Sequence, residues 1–88
     1  MLDLKRLTYL TALYHHRSYT KASEELFVTQ PAISLAVKAL ERQTGIQLLD
    51  RQANGVVFTP EGEQYVLHAQ HILQECEKTE TILQELST

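Results

Sequence analysis

The sequence predicts a mainly α fold: a winged helix-turn-helix of three helices and a β-hairpin wing, followed by a long C-terminal helix that pairs two copies of the chain. Three observations carry this prediction. A short helical segment is parted from a longer one at Val28-Thr29-Gln30-Pro31, an Asn54-Gly55 pair sits between two β-prone runs, and an apolar heptad repeats from Tyr65 to Leu86.

Leu4, Leu7, Leu10 and Leu13 recur at near-helical spacing, so helix 1 is expected from about Leu4 to His15. Ser18 and Thr20 offer capping hydroxyls before a short second helix from Lys21 to Phe27, with Ala22 and Leu26 on one face. Three features place the start of helix 3. Thr29 can accept from a first-turn amide, Pro31 is tolerated where its missing N–H is not needed, and Val28 precedes Ile33 at the spacing of a hydrophobic staple. Ile33, Ala36, Val37 and Leu40 form its buried stripe, and Gly45 supplies the left-handed residue that ends it.

Beyond Gly45 the pattern becomes strand-like. Residues 46–51 and 56–59 flank Gln52-Ala53-Asn54-Gly55, where Asn-Gly predicts a hairpin closed by a type I′ turn, the wing. Thr59 then caps a final helix with Pro60 in its first position and Glu61 and Glu63 in its first turn, where the helix dipole favours acids. Along it Tyr65, Ala69, Ile72, Cys76, Thr79, Leu83 and Leu86 alternate at spacings of four and three, a seam with nothing to fold back onto and therefore expected to dimerise. The chain divides into a winged helix-turn-helix over residues 1–59 and a dimerisation helix over residues 60–88.

With 88 residues the chain has room for one small domain. The net charge of −3 hides an asymmetry: residues 1–59 carry seven basic and five acidic side chains, a charge of +2, whereas residues 60–88 carry one and six, a charge of −5. The first part is compatible with phosphate and the second is not. No apolar run approaches the roughly 20 residues of a membrane span, and a lone Cys76 excludes an internal disulfide, so a cytoplasmic, reduced setting without membrane contact is expected. Cys76 reads as a packing residue of the seam, with a disulfide across a dyad as the alternative. His68 and His71 have ligand-compatible spacing, yet no carboxylate or thiol clearly completes a set; no metal, no cofactor and no enzymatic activity are expected.

The functional signal is the polar face of helix 3. A lone polar face is most often merely solvated, but here a turn, a cap and a wing surround it, and a helix so placed lies in the DNA major groove with its N-terminal residues at base edges. Gln30 and Ser34 are the natural base readers, since Gln matches the N6 and N7 edge of adenine in one plane. Pro31 and Leu35 offer apolar surface to a thymine methyl, Lys38 reaches a phosphate, and Arg51 at the base of the wing reaches a minor-groove edge or a phosphate. Thr20, at the start of helix 2, joins these candidate DNA contacts. The competing class is a protein-interaction module that docks through helix 3, which the negative net charge favours and the Gln30, Ser34, Lys38 and Arg51 face opposes.

Leu4-Lys5-Arg6-Leu7-Thr8-Tyr9-Leu10, Ser18-Tyr19-Thr20-Lys21-Ala22-Ser23, Thr29-Gln30-Pro31-Ala32-Ile33-Ser34, Leu40-Glu41, Thr44-Gly45-Ile46-Gln47-Leu48-Leu49-Asp50-Arg51 and Thr59-Pro60-Glu61-Gly62 follow one another in an order that resembles the LysR-type transcriptional regulators over the whole chain. The resemblance implies that Gln30, Pro31 and Ser34 enter the major groove, that Arg51 goes to the minor groove or its backbone, and that Thr29 and Thr59 lie near phosphates. It also implies that the last helix is a linker helix, pairing antiparallel as a homodimer, with a tetramer open to the full-length protein. A small-molecule effector would act only through a domain of periplasmic-binding-protein type that this chain lacks, so the chain reads as a fragment. Leu35 stands where the family often has Arg, Asn54 where a wing-tip Arg is frequent, and Ser23 where Ala is usual; Ser23 is expected to bond back within its helix.

Overall fold

The computed structural model describes residues 2–87. Four helices follow one another: α1 (Leu4–His16), α2 (Tyr19–Leu26), α3 (Gln30–Thr44) and α4 (Pro60–Leu86). Each starts at a side chain that satisfies amides the helix cannot. Asp3 accepts from the Lys5 and Arg6 amides, Ser18 from Lys21, Thr29 from Ala32 and Thr59 from Gly62. The first three end in a left-handed residue, at Arg17, Phe27 and Gly45.

Helix α1 is the central element and packs against all three others. Its Leu7, Leu10 and Leu13 are fully buried and meet Ala22 of α2, Ile33, Val37 and Leu40 of α3, and Val66 and Ala69 of α4. Each buried leucine contributes about 1.5–3 kcal/mol relative to exposure, so this one helix organises the core. At its C-terminal end the Tyr14 ring meets Phe58 edge-on at 5.0 Å, with the Arg17 guanidinium 4.4 Å above the Tyr14 ring. The Tyr14 hydroxyl donates to Glu63 at 2.7 Å, and this bond, with partial burial, raises its pKa above the usual 10. Ser23 is buried and its hydroxyl donates to the Thr20 carbonyl at 2.8 Å, the expected back-bond.

The wing departs from the hairpin expected. Among the described residues Leu49 and Phe58 form a lone antiparallel bridge, flanked by Asp50 N–H to Val57 C=O (2.8 Å) and Thr59 N–H to Leu48 C=O (3.0 Å). A type I′ turn at Asn54-Gly55 requires positive φ at both residues; only Gly55 has it, at +78°. The reason is that Asp50 turns the chain early. Its carboxylate accepts the Gln52 amide at 3.0 Å and its carbonyl the Ala53 amide at 3.3 Å, ending the ladder before a strand forms.

The heptad does not lie free along its whole length. Helix α4 does fold back, on α1, over its first half. Val66 and Ala69 are buried, and Tyr65, Ile72 and Leu73 pack against the core, so Ala69 is taken up within the chain's own domain. The break at residue 59 is thus a change of secondary structure and not of packing. Past Leu73 the cover from α1 thins to a hollow that Thr8 and Thr11 share with α4 as far as Glu80, and the rest of α4 projects, giving the chain a long axis of 51 Å against 26 and 18 Å. Among the described residues no helix is long and apolar enough to cross a membrane.

Candidate nucleic-acid interface

The turn between α2 and α3 fixes where α3 points. Helix α2 ends in a Schellman arrangement, with the Phe27 amide bonded to Glu24 C=O at 3.4 Å and the Val28 amide to Ser23 C=O at 3.1 Å. Two residues later Thr29 caps α3, so the chain reverses within Phe27, Val28 and Thr29 and leaves Gln30 and Pro31, the first residues of α3, exposed. Thr29 Oγ1 accepts the Ala32 amide and keeps its hydroxyl proton, which suits a phosphate oxygen beside a helix N-terminus.

Gln30 and Pro31 are exposed at this start, Ser34 is half-buried one turn on, and Leu35 and Lys38 are exposed along the same face. Thr20 does not cap α2, which begins one residue earlier under Ser18. Its hydroxyl accepts from Gln30 Nε2 at 3.1 Å instead, which holds the Gln30 amide in place. That bond uses one of two N–H donors, leaving the second and the carbonyl as the pair that an adenine edge matches.

Further along α3, an open concavity brings Lys38 and Arg42 together with Arg51 and Gln47 of the wing base. Arg51 is not a free cation. Its Nη2 pairs with Glu41 Oε1 at 2.5 Å, and the other oxygen of that carboxylate accepts the Leu48 amide at 2.8 Å and the Leu49 amide at 3.3 Å. Thr59 is likewise occupied, its hydroxyl accepting from the Gly62 amide at 2.9 Å and donating to Gln47 C=O at 2.5 Å. A phosphate near Thr59 would therefore meet other groups than this hydroxyl.

Two groups of basic side chains beyond the predicted contacts border this face. The N-terminal turn of α1 lies against the polar face of α3, so that Lys5 and Arg6 share a shallow depression with Ala32 and Leu35. Nothing local in the sequence signals that approach, because it follows from the α1–α3 packing. Arg42 follows Lys38 by four residues on the same side of α3, and its neighbourhood with Arg51 depends on where the wing base sits. Of the expected pairing residues, Thr79, Leu83 and Leu86 are exposed on the projecting half of α4, while Tyr65, Ile72 and Cys76 are partly covered. Among the described residues no group of three His, Cys, Asp or Glu side chains converges to hold a metal.

This arrangement matches known proteins throughout. Residues 4–63 match the family model of the bacterial regulatory helix-turn-helix protein, lysR family. The uncharacterized HTH-type transcriptional regulator YraN of Bacillus subtilis is 37% identical over 86 residues, 98% of this chain and 30% of that protein. A probable RuBisCO transcriptional regulator of Trieres chinensis is 38% identical over 85 residues, 97% of this chain and 28% of that protein. The chain thus spans less than a third of the length of these relatives. Among solved structures, the BenM DNA-binding domain in complex with benA site 1 DNA superposes with a TM-score of 0.93 at 31% identity, over 99% of this chain and 98% of that one. The chain belongs to the LysR family of bacterial regulatory helix-turn-helix proteins.

Proposed function

We propose that this chain is the DNA-binding part of a cytoplasmic transcription regulator, which reads a pseudo-palindromic operator as a homodimer, with α3 in the major groove and the wing beside the minor groove. The observation that carries the reading is the start of α3. An exposed Gln30 amide, held by Thr20, stands at the N-terminus of a capped helix, on the face that continues into Lys38, Arg42 and Arg51. Gln30 and Ser34 read base edges, Pro31 and Leu35 meet thymine methyls, and Thr20, Thr29, Lys38 and Arg51 fix the register on the backbone. The DNA complex of the BenM domain supports this reading, since that domain has the same architecture.

The exposed Leu83 and Leu86 on the projecting half of α4, continued by Thr79 and the half-covered Cys76, Ile72 and Tyr65, form the surface that pairs with a second chain. An effector would act through a domain beyond this segment, and the chain itself performs no catalysis. The test is Gln30→Ala, measured on a duplex that the chain itself selects from a random-sequence library. The variant should lose on the order of 1–3 kcal/mol on that duplex and little on unrelated DNA. Equal losses on both would remove Gln30 as a specificity residue. No salt-sensitive duplex binding by the unaltered chain would favour the protein-docking class.

A further inference from the structure

We propose that Glu41 is a positioning residue for DNA binding: its carboxylate locks the wing base to α3 and holds the Arg51 guanidinium beside Lys38 and Arg42, where a DNA backbone would run. This rests on the DNA-binding reading above.

The two oxygens of Glu41 have separate tasks. Oε2 accepts the Leu48 and Leu49 amides, the first residues of the wing's ascending arm. Oε1 accepts from Arg51 Nη2, three residues after Leu48 on that arm. Because the wing is tied across by a lone bridge, a two-bond anchor to α3 has large leverage on where its base sits. The Glu41 side chain is 17% exposed and that of Arg51 40%, so the pair lies at the rim, with water on one side.

The charge arrangement gives the pair a function beyond anchoring. Lys38 and Arg42 are four residues apart on α3, and the concavity adds Arg51 as a third cation. Left to mutual repulsion, Arg51 would swing away into solvent. Glu41 offsets one of the three charges and tethers the guanidinium through one nitrogen, and the guanidinium retains further N–H donors for a phosphate or a minor-groove oxygen. An acid beside a DNA-contacting arginine costs some attraction to the duplex. It removes the cost of ordering a long flexible side chain at the moment of binding.

Glu41→Gln separates the two tasks. The introduced amide carbonyl still accepts the Leu48 and Leu49 amides, while its NH₂ end presents donors to a guanidinium that can only donate. The experiment is a double-mutant cycle of Glu41→Gln and Arg51→Ala on the duplex selected by the unaltered chain, with affinity and its salt dependence as readouts. In the unaltered background Arg51→Ala should weaken binding about tenfold and flatten the salt slope by about one; in the Glu41→Gln background it should cost less than about twofold. The same tenfold cost in both backgrounds overturns the proposal, because Glu41 then serves the fold alone. Should Glu41→Gln fail to fold, Arg51→Lys decides. Lysine keeps the charge, but its compact ammonium lacks the planar fork with which one guanidinium faces Glu41 and the duplex in separate directions, so it should bind nearly as weakly as Arg51→Ala, and a lysine variant as tight as the unaltered chain overturns positioning. Failure of the unaltered chain to bind any duplex overturns the DNA reading itself, a result distinct from an additive cycle.

Discussion

The two halves of α4 carry apolar residues at the same helical spacing and put them to opposite use. In the first half, Val66 and Ala69 vanish beneath α1, and Gly62 lets the helix start flush against the wing base. In the second, Ile82, Leu83 and Leu86 are 53%, 59% and 76% exposed, with no described element of the chain covering them. A heptad therefore reports that an apolar stripe exists. It does not report whether the chain's own core or a second chain covers it, and here one stripe passes from the first condition to the second near Cys76.

The sharpest way to break this comparison is Gly62→Ala. A Cβ at residue 62 would lie 2.2 Å from the Leu48 carbonyl oxygen, which is backbone and cannot step aside. Alanine gains about 1 kcal/mol of helix propensity over glycine, but forcing backbone apart costs about 3 kcal/mol, so a net loss of about 2 kcal/mol is expected. Denaturant unfolding measures it. A neutral or stabilising result would show that the first half of α4 slides as freely as the second.

The projecting half should respond differently. Leu83→Asp places a charge on the exposed stripe and should weaken self-association about tenfold or more, as read by sedimentation equilibrium. Unfolding of the chain at dilutions below association should stay unchanged. Self-association unaffected by the substitution would remove Leu83 from the pairing surface, and equal destabilisation of the dilute chain would erase the distinction between the halves.

What the sequence made legible follows the same division. Helices α1 and α3 and the caps of α3 and α4 could be read, because Thr29, Thr59, leucine spacing and Gly45 are local signals that agree with one another, whereas Asp3 as the cap of α1 was not singled out. The polar face of α3 was legible for the same reason. The wing was not: Asn54-Gly55 is a strong turn signal, yet the Asp50 side chain and carbonyl capture two amides first, and that competition depends on a closure held elsewhere by Glu41 and Thr59. Thr20 was misread as a cap because Ser18 and Thr20 are equivalent in composition; what separates them is Gln30, ten residues away. Lys5, Arg6 and the occupied state of Arg51 are products of tertiary packing, invisible to any window along the chain.

The smallest expected effect concerns a third kind of exposed apolar group. Phe27 is 94% exposed, more than any leucine of the projecting helix, and it sits at φ +56°, in the left-handed region. Leu83 is exposed on regular helix and strains nothing, whereas Phe27 occupies a backbone conformation that costs an ordinary side chain about 1 kcal/mol. The Schellman bonds at Phe27 and Val28 impose that conformation, since the turn into α3 requires it whatever the residue. Asparagine tolerates the left-handed region and forfeits almost no packing here, so Phe27→Asn should raise stability by about 0.5–1 kcal/mol in denaturant unfolding, with the helix-turn-helix unchanged. A loss of stability would mean that the ring is covered in solution, by a second chain or by an arrangement of the turn other than this one. Phe27 would then belong with the tail's leucines as a surface that a partner hides.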